Sequence, residues 1–313
     1  MASAIWVGTD EGLHVVGDEE RVDLRGHKVG ALVSDGDSVW ALVGGYTVYR
    51  TGSSGIWRMV TRLAGRRSKL PRQTAPPAGT CMYVDKEGQL LVGTTGAHLL
   101  RFSDDDPDPE RVEAFDRVAG RSTWNTPWGD LPDVRSITGD GHGTTYVNVH
   151  VGGIPKSSDG GDTWVPTIDI EADVHQVIAL PDSSRLLAAT ARGLAISEDG
   201  GMRWTYRIEG LPASYCRAVA VTGENVLVTA SEGPGGEKAG VYSAPLDGGA
   251  FERCKRGLPK EFDDNIDTHC LVAAKDSVAF GTSDGAVYVS HDCGYSWHEE
   301  ATGLPPVRSL LIH

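Results

Sequence analysis

One eight-residue pattern, S-x-D-x-G-x-x-W, occurs three times in the 313-residue chain, and it constrains the fold more than any other sequence feature. Asp and Ser side chains accept hydrogen bonds from backbone N–H groups in tight turns, and Gly permits a left-handed backbone. The Trp ring is suited to pack such a turn against a sheet. The pattern therefore predicts repeated hairpins rather than catalysis. Its residues are Ser157, Asp159, Gly161 and Trp164; Ser197, Asp199, Gly201 and Trp204; and Ser290, Asp292, Gly294 and Trp297.

Each copy lies inside a longer unit that contains four short apolar segments. The unit recurs at a period of about 40 residues, which is typical of β-propeller blades. Weaker copies fill the rest of the chain, and their turn motifs are degraded. The chain begins on a second strand near Ile5 and ends on an unpartnered first strand near Leu310, so we expect the two ends to complete one blade.

These units predict an all-β fold: a single seven-bladed β-propeller domain over residues 1–313, with four-stranded antiparallel blades and a ring closed by the C-terminal strand. A six-bladed propeller is the alternative count. The predicted blades are residues 307–313 with 4–24, then 27–63, 78–116, 133–168, 174–208, 216–254 and 268–300.

The composition restricts the partners that we expect. A net charge of −14 argues against nucleic-acid binding. The sequence has no apolar run long enough to span a membrane and no visible signal peptide, so we expect a cytoplasmic monomer. The five cysteines form no C-x-x-C pair, which favours reduced thiols, although one disulfide stays open as an alternative.

The first strands of the units align to give a candidate site. In a propeller these strands line the central channel, and the residue just before each apolar run lies near one face. Five of the seven aligned residues are Arg or His, which predicts a cationic ring at the channel mouth. The aligned residues are Gly30, Thr80, Arg135, His175, Arg217, His269 and Arg308.

The turns between second and third strands are expected to open onto the same face, and they carry further polar side chains. Two tryptophans in the insertion 116–133 could form a lid or a stacking platform, or they could simply anchor the loop. A second insertion, 65–79, is basic and contains Arg66, Arg67, Lys69 and Arg72. The turn residues are Asp10, Glu11, Tyr46, His150, Arg192, Glu232 and Asp284, and the tryptophans are Trp124 and Trp128.

Arginine side chains bind carboxylate, phosphate or sulfate groups through paired hydrogen bonds, so the ring predicts an anion site. The alternative is that each Arg pairs with a carboxylate of a neighbouring blade, and the sequence favours neither. We predict no metal and no cofactor: His150, His175 and His269 are expected to face one cavity, but no H-x-H or C-x-x-C spacing accompanies them. Cys270 is expected to be a core thiol, because neighbours on a strand point to opposite sides.

The three turn motifs resemble the Asp-box repeat of bacterial neuraminidases, sortilin-type receptors and the photosystem II assembly factor family. The neuraminidases imply an arginine triad with a Tyr/Glu nucleophile pair, but their F/Y-R-I-P motif is missing here. The assembly factors imply a single propeller with an arginine patch and no catalysis, and they match this chain best in size.

Two functional hypotheses follow. In the first, the chain is a non-catalytic binding or assembly scaffold that holds an anionic ligand or an acidic segment of a partner. In the second, it is a hydrolase or lyase that acts on an acidic sugar or another carboxylate. Arg135, Arg217 and Arg308 would then clamp the substrate, with His175 or His269 as general base. A carboxylate or Tyr within hydrogen-bond reach of those His residues would support the second hypothesis, and Tyr46, Asp10, Glu11 and Asp284 are the candidates.

Overall fold

Seven four-stranded antiparallel sheets form the blades of a β-propeller in the computed structural model of the protein. The structure describes residues 4–17, 20–63, 77–126 and 128–313. The basic residues of the 65–79 insertion lie outside this part of the chain. The seven-bladed prediction is confirmed, and the six-bladed alternative is wrong. Among the described residues, no helix is long and apolar enough to cross a membrane.

The first three blades are built from the N-terminal strands and the last strand. Blade 1 consists of β28 (Val307–Ile312), β1 (Ile5–Thr9), β2 (Gly12–Val16) and β3 (Arg21–Asp23). Blade 2 consists of β4 (Val29–Asp35), β5 (Ser38–Val43), β6 (Thr47–Thr51) and β7 (Arg58–Arg62). Blade 3 consists of β8 (Gly79–Val84), β9 (Leu90–Thr94), β10 (Leu99–Phe102) and β11 (Glu110–Arg111).

The remaining four blades follow in chain order. Blade 4 consists of β12 (Val134–Gly139), β13 (Thr145–Val149), β14 (Pro155–Ser157) and β15 (Val165–Pro166). Blade 5 consists of β16 (Val174–Ala179), β17 (Leu186–Thr190), β18 (Gly193–Ser197) and β19 (Thr205–Arg207). Blade 6 consists of β20 (Tyr215–Thr222), β21 (Asn225–Ser231), β22 (Gly240–Pro245) and β23 (Glu252–Arg253). Blade 7 consists of β24 (Leu271–Ala274), β25 (Ser277–Gly281), β26 (Val287–Ser290) and β27 (His298–Ala301).

Helical structure in the described residues is limited to single 3-10 turns in the connections between blades. These turns span Phe115–Arg117, Arg121–Thr123 and Ile170–Ala172. The third turn ends at Asp173, which has a left-handed backbone with φ of 48° and immediately precedes β16.

The two ends of the chain close the ring. Strand β28 pairs with β1 in antiparallel register, with Val7 opposite Leu310. The first strands of neighbouring blades contact one another around the whole ring and surround the central axis. Buried aliphatic and aromatic side chains fill the space between the blades, so each blade is stabilised by its neighbours.

The three S-x-D-x-G-x-x-W turns share one hydrogen-bond pattern. In the first, Ser157 Oγ donates to Asp159 Oδ1 (2.8 Å) and accepts from the Gly161 N–H (2.9 Å), while Trp164 Nε1 donates to the Gly161 carbonyl (3.1 Å). The turns that begin at Ser197 and Ser290 repeat these contacts. Each Asp also accepts a backbone N–H four residues further on. The motif therefore closes a hairpin, as the sequence predicts.

Blades with degraded motifs keep four strands through other contacts. In blade 2, the Trp57 indole N–H donates to Asp23 of blade 1 (3.1 Å), and its ring packs against Trp6. In blade 3, where the turn motif is degraded, Asp104 accepts hydrogen bonds from both Arg50 and Arg58 of blade 2. These contacts join adjacent blades where the regular turn is missing.

Candidate functional site

Six of the seven aligned residues lie at the same structural position in their blades. In six blades the residue is the extra, unpaired one of a β-bulge near the start of the first strand: for example, Val134 and Ser136 pair with β13 while Arg135 does not. The other bulges contain Gly30, Thr80, His175, Arg217 and Arg308. The seventh residue, His269, has a positive φ of 66° instead. Bulges redirect side chains at sheet ends, and the sequence pattern gave no sign of them.

The strand register also fixes the face on which these bulges lie. Val29 at the start of β4 pairs with Val43 at the end of β5, so the bulge lies beside the turn between second and third strands. The S-x-D-x-G-x-x-W turns lie at the other end of the blades, because Ser157 pairs with Thr145, which pairs with Gly139 at the far end of β12. The bulges and those turns are therefore on opposite faces.

A short segment of blade 7 lies across the channel mouth. His269 Nε2 is 2.8 Å from the carbonyl oxygen of Arg135, three blades away. Thr268 Oγ1 donates to the carbonyls of both His175 and Arg217, at 3.1 and 3.2 Å. Residues 267–269, which we call the channel segment, thus connect blades 4, 5 and 6 to blade 7. Burial lowers the pKa of His269, and its Nε2 must carry a proton because a carbonyl oxygen only accepts.

The three arginines of the ring have different electrostatic environments. Arg308 donates two hydrogen bonds to Asp10, at 2.9 and 2.6 Å, so it is paired with a carboxylate, although one of its own blade rather than of a neighbouring blade. Arg217 is mostly buried, stacks over Tyr215, and lies 3.3 Å from the carboxylate of Asp267. The Arg135 guanidinium makes no hydrogen bond or ion pair with the described residues. Burial lowers the pKa of Arg135, with Asp267 opposing this shift and Arg217 adding to it.

Two histidines and one aspartate form a compact cluster beside these arginines. Asp173 Oδ1 lies 3.2 Å from His150 Nε2 and 3.7 Å from His175 Nε2. Both rings are buried, and His175 has no exposed surface. The Nδ1 of His175 is 2.6 Å from the Cys216 carbonyl, so this nitrogen carries the hydrogen. Burial lowers the pKa of His175 to about 4, with Asp173 opposing the shift. Sequence reasoning missed Asp173, which belongs to no motif.

The two tryptophans of the insertion have different roles. Trp124 is buried against Phe115 in the core between blades 3 and 4, so it anchors the loop and cannot stack on a ligand. Trp128 is 63% exposed, and its ring centroid is 5.3 Å from that of His150. Only Trp128 is available as a lid over the channel mouth.

The other predicted turn residues are not brought to the histidines. Asp284 accepts a hydrogen bond from the Thr282 hydroxyl, and Asp10 is held by Arg308. Tyr46 and Arg192 are exposed at the ends of their hairpins. In the part of the chain that the structure describes, none of Tyr46, Asp10, Glu11 or Asp284 makes a hydrogen bond to His175 or His269.

The cysteines are free thiols, and four of them are buried. The expectation of reduced thiols therefore agrees with the structure. Burial raises the pKa of both Cys81 and Cys216 to about 12 and raises that of Cys270 further. Such thiols are poor nucleophiles, because the reactive thiolate is rare at neutral pH. Cys270 is a core residue, as expected.

The fold and the ring together define a seven-bladed β-propeller whose channel mouth carries arginine and histidine side chains. No known family model matches the chain, and no curated protein is similar to it in sequence. Many solved structures match the fold of this chain, but their sequence identities are low, so these matches support the fold alone.

Three of these structures illustrate the range. The structure of U3-55K is 17% identical, with a TM-score of 0.62 and coverage of 89% of this chain and 83% of that one. YCF48 bound to D1 peptide is 13% identical, with a TM-score of 0.61 and coverage of 88% and 85%. A GH74 enzyme of Niastella koreensis is 13% identical with a TM-score of 0.62, and the match covers 94% of this chain but 46% of the enzyme.

Proposed function

We propose that this protein is a non-catalytic Asp-box propeller that serves as a binding or assembly scaffold, and that its channel mouth holds the carboxylate of an acidic partner segment. The observation that carries the proposal is that the three arginines of the ring differ in whether a carboxylate pairs with them. Arg308 is neutralised by Asp10, whereas the Arg135 guanidinium makes no ion pair with the described residues. Arg135 is half-buried, and a guanidinium that has lost part of its hydration gains from an anion that replaces it.

Asp267 indicates which kind of anion fits. Its carboxylate lies 3.3 Å from Arg217, and its charge favours the protonated form of Arg135. The Asp267 side chain is already 57% exposed, so its displacement into solvent by a ligand would lose few buried contacts. An acidic side chain of a partner would take the position that Asp267 now holds and would add contacts to Arg135.

The contacts of the histidines favour binding over hydrolysis. A general base needs a partner that orients it and a free nitrogen within reach of substrate. His269 Nε2 is occupied by the Arg135 carbonyl. His175 Nδ1 donates to the Cys216 carbonyl, and its free Nε2 belongs to a ring with no exposed surface, so it is out of reach of a substrate. The carboxylate near His175 Nε2 is that of Asp173, which is not one of the residues predicted to assist a general base. Among the similar structures, YCF48 is described with a bound peptide, which is compatible with a scaffold.

A thermal-shift screen tests the proposal. The full chain is heated with acetate, phosphate, sulfate, an acidic sugar and a penta-glutamate peptide, alongside the variants Arg135→Gln and Arg192→Gln. A ligand that binds only the native state raises its melting temperature. We expect penta-glutamate to stabilise the wild type and Arg192→Gln, because Arg192 is an exposed arginine outside the ring, and to stabilise Arg135→Gln much less. Equal shifts in all three proteins would contradict the proposal.

A further inference from the structure

The cluster of His150, Asp173 and His175 has the composition of a metal site. It offers two imidazole nitrogens and one carboxylate oxygen, and these three atoms lie within 4.8 Å of one another. Two His and one carboxylate are a common ligand set for divalent transition metals such as Zn²⁺ and Fe²⁺. Asp173 and His175 are two residues apart, at the end of an inter-blade connection and in β16, and the tertiary fold brings His150, from the turn after β13, to them.

The two distances to the Asp173 carboxylate are close to those of a tetrahedral site. Ligand atoms about 2.0 Å from a zinc ion lie about 3.3 Å from one another. Asp173 Oδ1 is 3.2 Å from His150 Nε2 and 3.7 Å from His175 Nε2. The two imidazole Nε2 atoms lie within 4.8 Å of each other, so an inward movement of the rings would place all three atoms around one ion.

The hydrogen bonds of His175 give evidence for a cation that is independent of the ligand distances. His175 is fully buried, and its Nδ1–H donates to the Cys216 carbonyl, which leaves a lone pair on Nε2. That nitrogen lies 3.7 Å from Asp173 Oδ1 and has no hydrogen-bond partner among the described residues, while Asp173 Oδ1 has His150 Nε2 at 3.2 Å. Two buried acceptors that face each other repel, and an unpartnered buried acceptor costs free energy. A cation between them would remove both penalties.

The surroundings resemble the second shell of a metal site. Metal-ligating histidines commonly donate their other ring N–H to a backbone carbonyl, which fixes the ring orientation, as Cys216 does here. The His175 ring is also packed against Tyr215 and His150, with centroid distances of 4.8 and 6.1 Å. Trp128 covers the His150 side at 5.3 Å. The ligands are therefore held in place before any ion binds.

We propose that His150 Nε2, Asp173 Oδ1 and His175 Nε2 bind one divalent transition-metal ion, for which Zn²⁺ is the probe, at the channel mouth. Three protein ligands leave a fourth position for water or an anion. The nearby charges of Arg135 and Arg217 oppose a bare cation and favour an anion in that position. The site rests on its own three residues and does not depend on the acidic-segment proposal.

Metal uptake by the full chain tests the proposal. The protein is stripped with a chelator and dialysed against Zn²⁺, and bound zinc is measured by mass spectrometry. Cobalt(II) is then used for its visible absorption. We expect one equivalent of zinc per chain and an intense tetrahedral cobalt spectrum in the wild type. Failure of the wild type to bind either metal would overturn the site while leaving the penta-glutamate measurement intact.

Two aspartate variants separate this site from adventitious binding. Asp173→Asn keeps the side-chain shape and tolerates the left-handed backbone, so it should fold normally. We expect it to bind zinc at least tenfold more weakly than the wild type, since even second-shell changes cost about tenfold or more. Asp182→Asn is the matched control: Asp182 also has a positive φ, of 54°, and lies 3.6 Å from His142, but on the surface.

A surface histidine pair supplies the competing explanation. His291 and His298 lie with ring centroids 5.6 Å apart on blade 7 and could bind zinc weakly. The variant His298→Gln should keep the stoichiometry and the cobalt spectrum of the wild type. Loss of zinc in His298→Gln or Asp182→Asn, with full binding by Asp173→Asn, would refute the channel-mouth site.

Discussion

At the scale of single residues, position in the fold decides what a charged side chain does. Arg135 and Arg308 occupy equivalent bulges, yet Arg308 pairs with Asp10 from the other end of the chain. The motif aspartates are similar to one another because their partners are local. Side-chain and backbone hydrogen bonds hold the pKa of Asp159 at about 2, with the Thr163 hydroxyl as the largest cause.

Thr163→Val is therefore expected to raise the pKa of Asp159 towards its ordinary value of 3.8, because the hydroxyl donor is removed and the backbone donors stay. A lowered carboxyl pKa contributes stability at pH values above 3.8, and that contribution is lost as the pH falls through about 2. The variant should thus lose this contribution at higher pH than the wild type. Carbon-13 NMR titration of the Asp carboxyl groups measures the change.

The same chain contains its own reference for this titration. Asp199 occupies the equivalent turn, and its pKa is also held at about 2, chiefly by Arg203. Thr163→Val should leave Asp199 unchanged. Equal pKa values of Asp159 in the wild type and the variant would show that the hydroxyl bond does not stabilise the carboxylate.

At the scale of strands and blades, small residues set how closely neighbouring blades approach. A Cβ atom added at Gly93 in β9 would lie 2.3 Å from Val134 Cγ1 and 2.7 Å from Cys81 Sγ. Gly8 and Gly281 occupy equivalent crowded positions against Val29 and Val307 of the next blade. In contrast, a Cβ atom at Gly30 in the ring has no neighbour within 4 Å.

Gly93→Ala should therefore destabilise the protein by about 1–3 kcal/mol, because overpacking forces the strands of blades 3 and 4 apart. Gly30→Ala is the control, and we expect it to change the free energy of unfolding by less than about 0.5 kcal/mol. Urea denaturation followed by tryptophan fluorescence compares the two. Equal midpoints for the two variants would contradict this account of blade packing.

At the scale of the whole molecule, β28 holds the two ends of the chain in one sheet. Leu310 lies in the core between blades 7 and 1 and is 3% exposed, and its backbone N–H donates to the His269 carbonyl (2.9 Å). Arg308, two residues earlier in the same strand, lies in the bulge at the channel mouth. Ring closure removes the free strand edges that an open propeller would expose.

Leu310→Ala is expected to lower the free energy of unfolding by about 2–5 kcal/mol, as for other buried leucines. Arg308→Ala removes only an exposed ion pair from the same strand and should cost less than about 1 kcal/mol. Thermal unfolding measured by calorimetry distinguishes them. If Leu310→Ala unfolded at the temperature of the wild type, the closing strand would contribute nothing to stability.

The sequence predicts the fold well because each blade repeats local chemistry. Turn motifs, strand lengths and the incomplete units at the two ends were enough to give seven blades and their closure. The candidate site depends on contacts between distant residues. Asp173 lies only two residues before His175, so that contact is local, but nothing in the sequence indicates that His150 joins the pair. Asp267 and Arg217 are far apart in the chain, and the pairing of Asp10 with Arg308 joins opposite ends of it.

The bulges illustrate the same limit. An alignment of first strands found the ring residues, but an unpaired residue in a strand leaves no mark in the apolar pattern. The sequence could not predict which of the two tryptophans is buried, because Trp124 and Trp128 lie in the same polar loop. Only packing against Phe115 separates the two tryptophans.

We propose that Arg135 and Arg217 form a carboxylate site that Asp267 now partly occupies. Calorimetric titration of the full chain with a penta-glutamate peptide at low salt tests it most directly, with Arg135→Gln and Asp267→Asn as opposed variants. Removal of the internal carboxylate in Asp267→Asn should tighten binding, and Arg135→Gln should weaken it by about tenfold, the value of one charge-assisted hydrogen bond. Binding that is equal in all three proteins, or that Asp267→Asn weakens, would contradict the claim.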